Sequence, residues 1–242
     1  MKIDRHFIKN QYDYARCIES VEELRGLYQL KDTSWPVCWD TETTGLSRGV
    51  PNVLFDPESE TVISEQLVPI VFGLSCAFVV SSEHVTGNWG GMCIVWGRLG
   101  TDIFDEMREI IKDKQDKVWH NWKYDDWVCQ ESGIEVGGES HCTMTQARIL
   151  WDRLRKVGLK KLTEFICPGL SQWDDPIKKE LTRLKNKYTR LINAGELDWP
   201  HDDVDYANYS HISEEIMGKY ASSDAFMTLM LWLRLQGEAK WR

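Results

Sequence analysis

The sequence predicts an α/β or α+β layer fold in one domain, a mixed β-sheet with helices packed around it. Three observations point there. The β-rich runs cluster in the first half of the chain, the second half carries helical periodicity throughout, and no repeat or low-complexity linker divides the 242 residues. A chain this long can bury a substantial core in a single domain, here expected to span 1–242 with a helical extension at about 170–211 inside it.

The elements follow in order. Tyr12, Tyr14 and Cys17 near alternating positions predict an opening strand, and Ser20 with Glu23 three residues later forms a capping-box signature for a helix to about Leu30. Trp35-Pro36 breaks the chain before the short apolar run Val37-Cys38-Trp39, a strand that delivers the polar loop Asp40-Thr41-Glu42-Thr43-Thr44-Gly45. Residues Arg48 to Glu65 mix turn formers with little periodicity and read as a loop. Leu67 to Val80 and Met92 to Trp96 are strands of a hairpin, separated by a turn-rich stretch with Gly87, Gly90 and Gly91. Apolar residues at 103, 104, 107, 110 and 111 mark an amphipathic helix over Thr101 to Lys114, and Lys117 to His120 is the next strand. Only helices are expected afterwards: Trp122 to Glu131, Thr143 to Trp151, Leu159 to Cys167, Pro176 to Asn193 and Ile212 to Gln236.

Composition narrows the classes. With 42% hydrophobic and 28% charged residues the chain is neither collagenous nor disordered. The longest charge-free stretch, Gln66 to Ser82, contains Pro69 and Gly73 and reads as buried strand, so no membrane span is expected. The amino terminus lacks an apolar signal region, which makes the cytoplasm the default location. Seven Cys without a CxxC pair argue against a disulfide framework and against zinc. A net charge of -9 argues against a global positive field for nucleic acid, while leaving room for a local basic surface or a metal-mediated contact.

Three short segments carry the candidate chemistry. Asp40 and Glu42 stand two apart on a strand, so both carboxylates leave on one face; their repulsion is relieved if a divalent cation sits between them. Taken alone, the segment reads more readily as a solvated turn. His120-Asn121-Trp122-Lys123-Tyr124-Asp125 follows a strand, where Asn121 can be a helix cap and Asp125 a first-turn acid favoured by the helix dipole. Tyr220 and Asp224 share a helix face at i, i+4 in an otherwise apolar helix. Their alternative is a buried, hydrogen-bonded polar pair.

In order and spacing, DTETTGL at 40–46, HNWKYD at 120–125 and YASSD at 220–224 resemble the three exonuclease motifs of the DEDD superfamily, and the leading Tyr of the third is similar to the DEDDy branch. Within it the chain most resembles the 3'-5' proofreading exonuclease domain of family A DNA polymerases, including phage enzymes. Thr143-Met144 is similar to the family's DTM segment, with Cys142 in place of its Asp, and Gly158-Leu159-Lys160-Lys161-Leu162 to its SLK-type helix start. The resemblance implies an α/β fold of the RNase H-like class. It also implies that Asp40, Glu42, Asp125 and Asp224 hold two divalent cations, Mg2+ or Mn2+, that activate water and stabilise the leaving 3' oxygen. Tyr220 would orient the attacking water, Leu46 would contact the terminal bases, and Thr43, His120 and Asn121 would also touch substrate.

The expected substrate is a single-stranded DNA 3' end, released as nucleoside 5'-monophosphates in proofreading for a polymerase domain or partner, with the host cytoplasm as location for a phage-encoded chain. The rivals are a stand-alone exonuclease acting on RNA, like ribonuclease D, and a catalytically silent nucleic-acid-binding domain. Two further features read as solvated surface. These are His201-Asp202-Asp203 with Asp205, and the basic face of the helix from Pro176, with Lys178, Lys179, Arg183, Lys185, Lys187 and Arg190.

Overall fold

The structure is a computed structural model, and it describes residues 15–81, 84, 91–166, 173–201 and 206–239. Residues 12 and 14 of the expected first strand, the glycines at 87 and 90, and the acidic residues Asp202, Asp203 and Asp205 lie outside the described residues.

Strand β1 (Ala15–Ile18) leads into helix α1 (Val21–Gln29), whose cap is the expected one: Ser20 accepts from the Glu23 amide at 3.2 Å. The sheet is completed by β2 (Val37–Thr43), β5 (Val71–Val79), β6 (Met92–Arg98), β7 (Lys117–Trp119) and β8 (Ser140–Cys142). Its order is β1-β6-β5-β2-β7-β8. Strand β5 runs antiparallel to both neighbours, while β7 and β8 continue parallel to β2, so the sheet is mixed as expected and of the RNase H-like class. Helices α2 (Asp102–Ile110), α3 (Trp122–Glu131), α4 (Thr143–Leu150), α5 (Leu159–Ile166), α6 (Asp175–Asn193) and α7 (Glu214–Ala239) supply the outer layers.

Two expectations need correction. The segment expected to be a loop holds a hairpin of β3 (Asn52–Phe55) and β4 (Val62–Gln66). All four residues of β3 are buried, whereas β4 is almost wholly exposed, so neither strand displays an alternating pattern. Secondly, β8 interrupts the run of helices. It has three half-buried residues, and its place comes from pairing with β7 rather than from its own apolarity.

Alternation along β2 divides the core. Val37 and Trp39 face one layer with Phe104, Met107 and Val128, while Cys38 faces α7 beside Ala225 and Phe226. Helix α7 is apolar nearly all round because it is covered on most sides, by the sheet and by α4, α5 and α6. Its amino-terminal half is keyed to the sheet by Trp96. A Cβ on Gly73 would stand 1.9 Å from the Trp96 ring, and one on Gly218 would stand 3.1 Å from it. The indole nitrogen donates to Glu214 at 2.5 Å. This wedge fixes how α7 lies across the strand that carries Asp40 and Glu42.

Candidate active site

The carboxylates of Asp40, Glu42 and Asp224 each bring an oxygen within 4.8 Å of the others. Two come from β2 and one from α7, which crosses the same face. Asp40 is half-buried, and Glu42 and Asp224 are buried. Burial and repulsion from neighbouring carboxylates push the Asp40 and Glu42 carboxyls well above the usual range, and burial raises Asp224; the Lys160 ammonium opposes the shift in all three. Glu42 Oε1 is buried with no hydrogen-bond partner. Three converging carboxylates with an orphaned oxygen are the donor set that a hard divalent cation satisfies.

Asp125 stands apart from this trio. Its Oδ1 accepts from Thr41 Oγ1 at 2.7 Å, and burial pushes its carboxyl up to about 7. It is close enough for its charge to raise Asp40 further. Tyr220 is buried on α7 one turn before Asp224, and its hydroxyl accepts from Lys160 Nζ at 3.0 Å. Asp224 Oδ1 accepts from the Trp173 indole at 2.6 Å.

A cleft of about 800 Å³ opens over the trio, lined by Asp40, Glu42, Tyr220 and Asp224 at its head and by Leu46, Lys185 and Tyr209 further out. Leu46 is 78% exposed, a position in which a leucine contributes nothing to the core. The turn beneath it is pinned: the hydroxyls of Thr43 and Tyr124 both reach the Gly45 carbonyl, at 2.9 and 2.7 Å, and the Asn52 amide donates to Ser47 and Val50.

Thr43 therefore lines the cleft with its hydroxyl engaged in holding the turn. His120 and Asn121 do not line it. Both ring nitrogens of His120 are used inside the fold, by Thr143 Oγ1 and the Val157 carbonyl at 2.9 Å each, and burial lowers its pKa to about 4. Asn121 is exposed at the N-cap of α3 without a side-chain capping bond. The strand end turns His120 inward, toward Thr143 at the start of α4 and the Val157 carbonyl, so the structure does not bring these two expected substrate contacts to the carboxylate trio. Conversely, Lys160, Trp173 and Asp174 meet the site from α5 and the start of α6. Trp173 and Asp174 lie in no motif singled out from the sequence, and the SLK-type helix start that includes Lys160 marks a helix without assigning the lysine to the site.

An acidic trio at a strand end under a crossing helix, beside an open cleft, defines a hydrolase site of the carboxylate-cage type. A family model described as a 3'-5' exonuclease matches residues 90–240, and the chain belongs to that family. The chain is 29% identical over 154 residues to DNA polymerase I B, chloroplastic/mitochondrial, of Arabidopsis thaliana, covering 62% of this chain and 14% of the polymerase. It is 28% identical over 163 residues to the mitochondrial DNA polymerase I B of Oryza sativa subsp. japonica, covering 63% and 14%. The chain thus spans about a seventh of the length of these relatives. Among solved structures, Trypanosoma brucei RNase D in complex with RNA U12 shares the fold, with a TM-score of 0.50 and 12% identity over 94% of this chain and 64% of that one. No helix among the described residues is long and apolar enough to cross a membrane.

Proposed function

We propose that this exonuclease hydrolyses the terminal phosphodiester of single-stranded DNA from the 3' end, releasing nucleoside 5'-monophosphates, and that it edits for a family A DNA polymerase. The observation that carries the reading is the meeting of Asp40, Glu42 and Asp224 at the head of a cleft whose outer rim bears the exposed Leu46. The polymerase context is supported by the plant relatives, which are DNA polymerases I.

In this reading Asp40, Glu42 and Asp224 hold Mg2+ or Mn2+ ions, and Asp125 completes the set from the side of α3. When bound, the ions supply charge neutralisation of the scissile phosphate and activation of water. The protein's own groups do the rest. Tyr220 orients the incoming water by its hydroxyl, one turn from Asp224, and the low-dielectric wall of α7 strengthens each of these contacts. Leu46 lies against the terminal base and holds it unstacked, which suits a frayed end better than a paired one.

The test uses 5'-labelled oligonucleotides of one sequence as DNA and as RNA, with paired and mismatched 3' ends, with Mg2+, Mn2+ or chelator. The expected result is metal-dependent shortening from the 3' end, faster for mismatched than for paired DNA and faster for DNA than RNA. Faster loss of RNA would assign a ribonuclease role instead, and nicking of a circular single strand would refute exonucleolytic action.

A further inference from the structure

Lys160 lies in the first turn of α5, where the helix dipole disfavours a cation. Its surroundings explain its presence. The ammonium donates to the Tyr220 hydroxyl at 3.0 Å and lies 3.9 Å from Asp224 Oδ2 and 3.7 Å from Asp174 Oδ2. It also sits 4.6 Å from the centre of the Tyr220 ring and 5.8 Å from that of Trp173. Asp174, itself only 4% exposed, also pairs through the same Oδ2 with Lys178 at 2.5 Å. One cation is therefore gripped by a buried acid outside the carboxylate trio and directed at two residues of the site.

The hydrogen-bond inventory then fixes the phenol. A lysine ammonium only donates, so the Tyr220 oxygen must accept from it, and the single phenolic proton is left for another partner. Asp224, with which Tyr220 interacts, is that partner, and a water beside Asp224 would be offered the same proton. Without the lysine the Tyr220 oxygen loses its fixed donor and can accept from water, so that Asp224 alone is left to set the direction of the phenolic proton. The ammonium also supplies the positive charge that Asp40, Glu42 and Asp224 all feel.

We propose that Lys160, anchored by Asp174, is a positioning residue for the hydrolytic step: it sets the donor direction of the Tyr220 hydroxyl and acts as the site's own counter-charge against the carboxylate trio. This rests on the proposed exonuclease reading of the site. It separates two properties that a structural or phosphate-gripping lysine would not separate. Removing the charge tightens metal binding, because a repelling cation is gone, while slowing the reaction, because the phenol is no longer aimed.

The experiment compares the full chain with its Lys160→Met, Lys160→Gln and Lys160→Arg variants and with Tyr220→Phe and the Lys160→Met/Tyr220→Phe double variant. Thermal midpoints confirm folding, and Lys160→Gln replaces Lys160→Met throughout if the latter does not fold. Mg2+ affinity is read by titration calorimetry without substrate, and kcat and KM are read on a single-stranded oligonucleotide. Expected are an affinity for Mg2+ about fivefold tighter or more in Lys160→Met, a kcat lower by roughly 10- to 100-fold with KM little changed, and partial recovery in Lys160→Arg. The double variant should be no slower than the slower single one. Unchanged Mg2+ affinity, a change in KM alone, or fully additive losses would each overturn the proposal. Failure of the exonuclease reading is a different result, visible in the unsubstituted protein as absence of both nucleotide release and Mg2+ binding.

Discussion

The Thr41 hydroxyl donates to Oδ1 of Asp125 at 2.7 Å, so β2 holds the carboxylate of α3 from the face opposite to the one that presents Asp40 and Glu42. Thr41→Val deletes that donor while keeping the shape, and it leaves a buried carboxylate short of a partner. The expected cost is about 1–3 kcal/mol in stability, read by urea unfolding of the metal-free protein. A rate loss of about tenfold or more should accompany it, because an outer partner no longer orients Asp125, and Thr41→Ser should restore most of both.

Glu42→Gln should separate stability from activity. The acid is buried with one oxygen unpartnered and beside Asp40, so neutralising it relieves repulsion and should raise the metal-free melting temperature. The same change removes a cage ligand, worth several kcal/mol of charge stabilisation, and should lower the rate by roughly 100- to 1000-fold. Melting curves in chelator and nucleotide release in Mg2+ check the two signs independently.

Tyr220→Phe and Asp224→Ala should differ although the residues share one face of α7. Loss of the phenol removes a single oriented hydrogen bond, for a rate loss of roughly 10- to 1000-fold with Mg2+ affinity little changed. Loss of the carboxylate should weaken Mg2+ binding itself and abolish most activity. A Tyr220→Phe enzyme as fast as the unsubstituted one would remove the tyrosine from the mechanism and leave the carboxylate cage standing.

The raised carboxyls also predict how Mg2+ stabilisation varies with pH. Asp125, pushed up to about 7, together with Asp40, Glu42 and Asp224, which are also raised, favours the folded state while protonated. The Asp125 contribution is complete below the ordinary carboxylate range, near 4, and is lost as pH rises through about 7, while those of Asp40, Glu42 and Asp224 are lost in the same direction as each carboxyl ionises above its ordinary range. His120, lowered to about 4, acts in the opposite sense: its contribution is present above 6.5 and lost as pH falls toward 4. The histidine is common to metal-free and metal-loaded protein, so it cancels in their difference. The Mg2+-induced rise in melting temperature should therefore grow between pH 4 and pH 7, and a flat difference would contradict the carboxylate cage.

Gly73→Ala should be destabilising without touching the site directly. The added methyl would stand 1.9 Å from the Trp96 ring, which must move off its seat between β5 and α7. Overpacking of this kind costs typically about 1–3 kcal/mol, measurable as a lowered urea midpoint with an unchanged slope.

What the sequence makes legible is local. Asp40, Glu42, Tyr220 and Asp224 could be read because each pair lies within one turn or two strand positions, where spacing alone fixes a shared face. Strands β2, β5, β6 and β7 are readable because they are apolar and bounded by turn residues, whereas β8 is placed only by its pairing with β7. The β3–β4 hairpin was not readable, since one strand is wholly buried and the other almost wholly exposed. Nor was the inward turn of His120, which depends on Thr143 and Val157, distant in sequence. Lys160 looked like the start of a helix because the residues that give it a role, Trp173, Asp174, Tyr220 and Asp224, meet it only through tertiary packing.

The acidic trio draws two members from β2, near the start of the chain, and one from α7, near the end of the described residues. A ribosome completes these pieces far apart in time. Until α7 has emerged and seated itself across the sheet, with Trp96 lodged between Gly73 and Gly218, a nascent chain holds the trio without Asp224. On the proposed reading of the site, cutting therefore waits for α7 to seat, and a chain stopped before that helix should release no nucleotide.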